Sequence, residues 1–120
     1  MVLQIDPKTG AGVIGDIVRP GQTIQFHVRD SETATEDLNA LLALQVNTNA
    51  QKPKGALVFS CNGRGERLFN KKNHDINLIQ NHLGPMPAAG FFCAGEIGPI
   101  AGQNFIHGFT DSIALFYPPA

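Results

Sequence analysis

Cysteine is scarce in this 120-residue chain, occurring only at Cys61 and Cys93. Two thiols are too few for a disulfide framework and lie in no metal-type spacing, so both are expected to be free. An excess of either charge is also missing. Nine Lys and Arg stand against ten Asp and Glu, and Lys71-Lys72 is the sole adjacent basic pair. That balance supplies no field to attract nucleic acid or an anionic membrane. No apolar run approaches the roughly 20 residues a membrane-spanning helix needs, and the first residues lack the basic and apolar regions of a signal peptide. Low-complexity segments and internal repeats are absent as well. The expectation is a soluble, cytoplasmic protein with no nucleic-acid or membrane partner.

What is present is the composition of a globular domain, 42% hydrophobic and 16% charged. A single domain of this size hides roughly two thirds of its unfolded surface, enough for one core without staples. Residues 2–18 read as two short strands joined by the turn Asp6-Pro7-Lys8-Thr9-Gly10. In residues 23–29, Ile24, Phe26 and Val28 alternate with Gln25, His27 and Arg29, the period of a half-buried strand. A capping box of Thr33 and Glu36 and the spacing of Ala34, Leu38, Leu41 and Leu42 predict a helix over about 33–46.

The apolar run from Gly55 to Ser60 predicts a strand covered on both faces, central in its sheet. Asn73 or Asp75 as a cap, Ile76, Ile79 and Leu83 on one face, and Gly84-Pro85 as a stop predict a second helix. The last third contributes two strands joined by a Gly-rich loop from Gly95 to Gln103. The fold class is therefore α+β (mixed α/β) in one domain. The expected order is β-β-β-α-β-α-β-β, with a sheet of about six strands and two helices.

Two loops carry the candidate chemistry. In the Ser60–Gly65 stretch (SCNGRG), Gly63 and Gly65 can turn backbone N–H groups inward as an anion nest, and Arg64 offers a fork that matches a carboxylate. In the Gly95–Pro99 stretch (GEIGP), Glu96 is a lone acid in an apolar, Gly-rich run, where burial without a partner is costly. The alternatives are plain turn-making for the glycines and an ion pair from Glu96 to Arg64 or Arg67. Neither loop has the spacing of a P-loop or a dinucleotide fingerprint. Cys61 or Cys93 with one of His27, His74, His82 and His107 would be the minimum for thiol catalysis, but no cysteine-hydrolase signature surrounds either thiol. Unpaired cysteines are more often buried or pocket-lining. His74 and His82, eight positions apart, are too far apart on a helix for one metal ion.

The blocks GALVFSCNGRGERLF, NHDINLIQNHLG, AGFFCAGEIGPIAGQNFIHGFTDSIALF and, upstream, QTIQFHVRDSETATEDL together resemble the C-terminal domain of the FIST family, the F-box and intracellular signal transduction proteins. The resemblance runs from about Leu3 to Phe116. It implies one FIST C-terminal-like domain over residues 1–120, met here without its N-terminal FIST partner. It further implies a small-ligand-binding sensory role in intracellular signal transduction, non-catalytic and without a cofactor or metal, with an amino-acid-like carboxylate as ligand. The expected ligand-binding residues are Cys61, Asn62, Gly63, Arg64, Gly65, Cys93, Gly95, Glu96, Gly98 and Asn104. Arg64 and the nest amides would hold a carboxylate, Glu96 an amine, and Asn62 and Asn104 neutral groups. Cys61, Asn62, Arg64 and Glu96 are expected around one pocket. The alternatives are an interaction domain that docks an N-terminal FIST partner or itself, and a Cys-dependent enzyme. A homodimer or higher oligomer is expected, joined through the first hairpin or the C-terminal strand.

Overall fold

The computed structural model describes residues 2–119. Its strands are β1 (Val2–Ile5), β2 (Gly12–Ile14), β3 (Gly55–Cys61), β4 (Ala88–Cys93), β5 (Glu96–Ile100), β6 (Gln103–His107) and β7 (Asp111–Phe116). The helices are α1 (Ser31–Thr48), α2 (Glu66–Phe69) and α3 (His74–Leu83). The class is α+β. The seven strands form three small sheets, β1-β2, β4-β3-β7 and β5-β6, where the sequence suggests one sheet of about six.

The central sheet explains the most hydrophobic part of the chain. β3 lies in the middle as expected, parallel to β4 and antiparallel to β7. The β3–α3–β4 stretch is thus a crossover unit, and α3 returns the chain across the sheet. Alternate residues of β3 face the helices, and Ala56 joins Leu38, Leu42, Ile79, Leu83 and Met86 in the core, with Val58, Ile113 and Leu115 packed against it. Ile79 is completely buried. On the opposite face β5 touches only the Ser112 end, and Leu57 and Phe91 are exposed, with no layer over them among the described residues.

The helix caps differ in detail from their sequence signatures. α1 begins two residues before the Thr33–Glu36 box, because the Asp30 carboxylate accepts the Thr33 backbone N–H at 2.9 Å and satisfies an orphan donor of the first turn. α3 starts after Asn73, which holds a left-handed conformation, and stops at Gly84, as the Gly84-Pro85 signal indicates.

Residues 23–29 form no strand. Ile24, Phe26 and Val28 are exposed, and among the described residues no neighbouring segment supplies a ladder. Alternation marks a chain able to form a strand, but a strand exists only as one member of a pair. The stretch from Gly95 to Gln103, expected as an open loop, is mostly hairpin. Ala101 and Gly102 take φ of 50° and 81°, and two consecutive positive values are the signature of the two-residue turn whose twist suits a hairpin. β4 and β7 flank β3 on opposite sides.

Candidate functional site

β3 and β4 run parallel and end side by side at Cys61 and Cys93, so the SCNGRG turn and the segment leading to Glu96 emerge from adjacent strand ends. In open α/β sheets that location is where ligands collect. A cleft of about 980 Å³ opens there, between the helix-facing side of β4 and the α2–α3 region. Val58, Ala88, Gly90 and Phe92 supply an apolar floor, while Asn62, Glu66, Arg67, Lys72, Asn73 and His74 supply polar walls.

Beneath this cleft lies a buried charge network. Arg64 is 7% exposed. Its Nε–H donates to Asp75 Oδ2 at 3.0 Å, and its Nη2 donates to Asp75 Oδ1 at 2.8 Å. Nη1 donates to the Phe109 carbonyl at 3.4 Å. Asp111, with its side chain 4% exposed, places Oδ2 3.2 Å from Arg64 Nε. Because the single Nε–H points at Asp75, that buried Oδ2 accepts no hydrogen bond. The other oxygen accepts the Ser60 hydroxyl. His74 closes the network, with Nδ1 2.9 Å from Asp75 Oδ1 and Nε2 3.1 Å from Thr35 Oγ1. Its ring stacks on Phe69 at 3.6 Å between centroids.

Two carboxylates sharing one guanidinium separate in acidity. Burial alone would raise the Asp75 carboxyl, but the hydrogen bonds from Arg64 and His74 outweigh it and hold Asp75 below its usual value. Burial also raises Asp111. The Ser60 hydrogen bond opposes this, the neighbouring Asp75 charge adds to it, and the carboxyl stands at about 6.

The expected ligand residues fall into separate groups. Asn62, Arg64 and Gly65 line the cleft. Cys61 is buried on the turn, where its sulfur accepts the Gly63 N–H at 3.5 Å. Gly63 is a packing position, since a Cβ there would lie 2.2 Å from the Phe109 ring. Cys93, Gly95 and Glu96 lie outside the cleft lining. Glu96 is 1% exposed, and its Oε2 accepts the Thr110 hydroxyl at 3.0 Å. The Cys93 thiol lies within donating reach of Glu96 Oε1 at 3.7 Å and the Ser60 carbonyl at 3.4 Å. Gly98 accepts from His107 Nε2 at 3.0 Å, and Asn104 is an exposed residue of β6 opposite Pro99.

Two expectations therefore change. Glu96 does not share a cleft with Arg64, and among the described residues it makes no ion pair with Arg64 or Arg67. Nor is the fork of Arg64 free for a ligand carboxylate, because Asp75 occupies it. The residues that sequence reasoning did not assign to the site are Ser60, Asp111, Lys72 and Phe92, along with Arg67, weighed only as a partner for Glu96, Asp75, read as a helix cap, and His74, weighed only for thiol or metal chemistry. An acid directly before the apolar run Ser112–Phe116 was the available signal for Asp111.

Both cysteines are free, and burial together with the nearby Glu96 charge pushes the Cys93 thiol up, away from the thiolate. No imidazole contacts either sulfur among the described residues.

The chain is 50% identical over 115 residues to the uncharacterized protein Rv0628c of Mycobacterium tuberculosis, covering 96% of this chain and 30% of that protein. It is 49% identical over the same length to the uncharacterized protein Mb0898c of Mycobacterium bovis, with the same coverage. The chain thus spans about 30% of the length of the curated relatives it matches. No solved structure matches it significantly. No helix among the described residues is long and apolar enough to cross a membrane. The FIST C domain description matches residues 1–99, most of the chain, and the chain belongs to the FIST C domain family.

Proposed function

We propose that this domain is a non-catalytic, small-ligand-binding sensory module of intracellular signal transduction, working in the cytoplasm, and that the ligand occupies the cleft at the carboxyl ends of β3 and β4. The observation that carries this reading is the cleft itself. It has an apolar floor, convergent polar groups and a volume of about 980 Å³, at the upper end of the range for small-molecule sites. An amino-acid-like carboxylate fits its chemistry. Arg67 and Lys72 at the rim receive the carboxylate, Glu66 receives the amine, and Asn62 and Asn73 add neutral hydrogen bonds. An apolar side chain would lie on Val58, Gly90 and Phe92. Arg64 acts one layer down, holding the SCNGRG turn against α3 through Asp75, so that a ligand pressing on Asn62 or His74 is felt in α1 through Thr35.

Calorimetry with amino acids and dicarboxylates tests this. Binding of at least one member, weakened about tenfold or more in an Arg67→Ala/Lys72→Ala double variant, is the expected result for loss of a charge-assisted contact. Binding unaffected by that variant would move the site elsewhere.

A second reading, an association module that docks an N-terminal FIST partner or a second copy, is favoured by the surface. The chain exposes 9140 Å², whereas a compact monomer of its mass exposes about 6,300 Å².

A further inference from the structure

We propose that β4 is a dimerisation edge. Two copies join their β4 strands antiparallel about a two-fold axis at Gly90, making one six-stranded sheet, and each copy closes the open side of the other's cleft. This deepens the association reading above by naming the partner and the contact.

Four observations carry it. The first is the state of the edge. The stretch Ala88-Ala89-Gly90-Phe91-Phe92-Cys93 contains no charge, no proline and no bulge, so it has none of the devices that protect a sheet edge from pairing. Phe91 and Phe92 on it are 63% and 58% exposed.

The second is the direction of its hydrogen bonds. The Ala56 N–H donates to the Pro87 carbonyl and the Asn62 N–H to the Cys93 carbonyl. In a parallel ladder this fixes the odd-numbered residues of β4 as those facing β3. The N–H and C=O groups of Ala88, Gly90 and Phe92 therefore point outward, without a strand to receive them.

The third is self-complementarity. With Gly90 opposite its own copy, Ala88 faces the partner's Phe92, and all three outward residues form hydrogen-bonded pairs. On the uncovered face Ala89 meets the partner's Phe91, an apolar pair of the kind that stabilises sheets. Gly90 leaves the axis free of side chains. It is also irreplaceable locally, since a Cβ there would collide with the Val58 carbonyl. A two-fold contact of this type closes and does not propagate.

The fourth is area. The radius of gyration is 17.4 Å, against about 14 Å for a compact chain of this length. Much of the surplus exposed surface belongs to residues 2–29, which are exposed along most of their length, and at β4 it comprises chiefly Phe91 and Phe92, the centre of an interface that needs roughly 800 Å² per partner. The other outer strand, β7, leans on β5, where the Ser112 hydroxyl donates to the Ile97 carbonyl at 2.7 Å. β7 too lacks a strand on its outer side, but β5 packs beside it, which leaves β4 as the edge without such a neighbour among the described residues. The joint also bears on the cleft, because Ala88, Gly90 and Phe92 form its floor and the partner's Phe92 would extend that floor.

Light scattering and amide hydrogen exchange on the 120-residue chain, at about 1 and about 100 µM, test the proposal. A dimeric mass at the higher concentration is expected. The amides of Ala88, Gly90 and Phe92 should gain roughly tenfold or more in protection there, while those facing β3 stay unchanged. The Ala88→Pro variant, which removes one outward N–H without touching the β3 ladder, should be monomeric with Val58 and Ser60 amides still protected. Should that variant fail to fold, Phe91→Lys on the uncovered face should weaken dimerisation at least tenfold, with the helical signal unchanged. A dimer whose β4 amides exchange freely, or one unaffected by either folded variant, overturns the edge while sparing the association reading. A monomer at 100 µM overturns the edge and the self-association half of that reading, and the calorimetric test of ligand binding stands apart from either result.

Discussion

Replacing Asp111 by asparagine should remove most of the neutral-range pH dependence of this protein's stability. Asp111 is nearly inaccessible, shares Arg64 with Asp75, and stands at about 6. The unfolded chain restores its ordinary value of 3.8. A carboxyl raised in the folded state favours folding while it is protonated. That contribution is complete below the unfolded value and is lost as the pH rises through about 6. A difference of about two units at 1.36 kcal/mol per unit comes to about 3 kcal/mol.

Asparagine reproduces the protonated acid: its carbonyl can accept from Ser60, and its amide can donate toward Asp75. Urea unfolding of both proteins between pH 4.5 and 8 is the assay. The natural protein should lose about 2 kcal/mol of that across the window, the rest having gone below pH 4.5, and Asp111→Asn should give a nearly flat profile that crosses above it by pH 8. Asp75 does not confuse the result, because its lowered value confines its effect to acid below the measured range. Parallel curves for the two proteins would show that Asp111 is not the titrating group and refute the reasoning.

Other outcomes follow from the same geometry. Arg64→Ala leaves Asp75 and Asp111 facing each other without a cation and should cost about 3–5 kcal/mol, measured by urea unfolding at pH 7. Gly63→Ala drives a methyl into the Phe109 ring and should cost about 1–3 kcal/mol, with the ring displaced in the NMR spectrum. Ile79→Ala empties a fully buried position between α1, α3 and the central sheet and should cost about 2–5 kcal/mol by the same unfolding assay. Glu96→Gln removes a negative charge beside Cys93, so alkylation of that thiol at pH 8 should speed up. An unchanged rate would mean that burial alone sets its reactivity.

Local patterns in the sequence determined the parts of this protein that depend on near neighbours. The Asp6–Gly10 turn, the long helix through Leu38 and Leu42, the central position of β3 and the stop at Gly84 all follow from dihedral preferences, capping and hydrophobic period. The family was legible too, but by resemblance, through the SCNGRG and GEIGP blocks and the match over residues 1–99. Those blocks mark where adjacent parallel strands end, which is why the cleft lies beside the first of them. Only the tertiary structure decided which side chains meet. Arg64 and Glu96 look like a matched pair in the sequence. In the fold, Arg64 turns beneath the helices to Asp75 and Asp111, eleven and forty-seven positions away, while Glu96 is sealed against Thr110 and Cys93 outside the cleft. The alternation in residues 23–29 was legible but not its outcome, because a strand needs an edge and the sequence does not say whether one is within reach. Packing at that distance depends on which faces of β3, β4 and α3 come together, and no pattern confined to a single element encodes it.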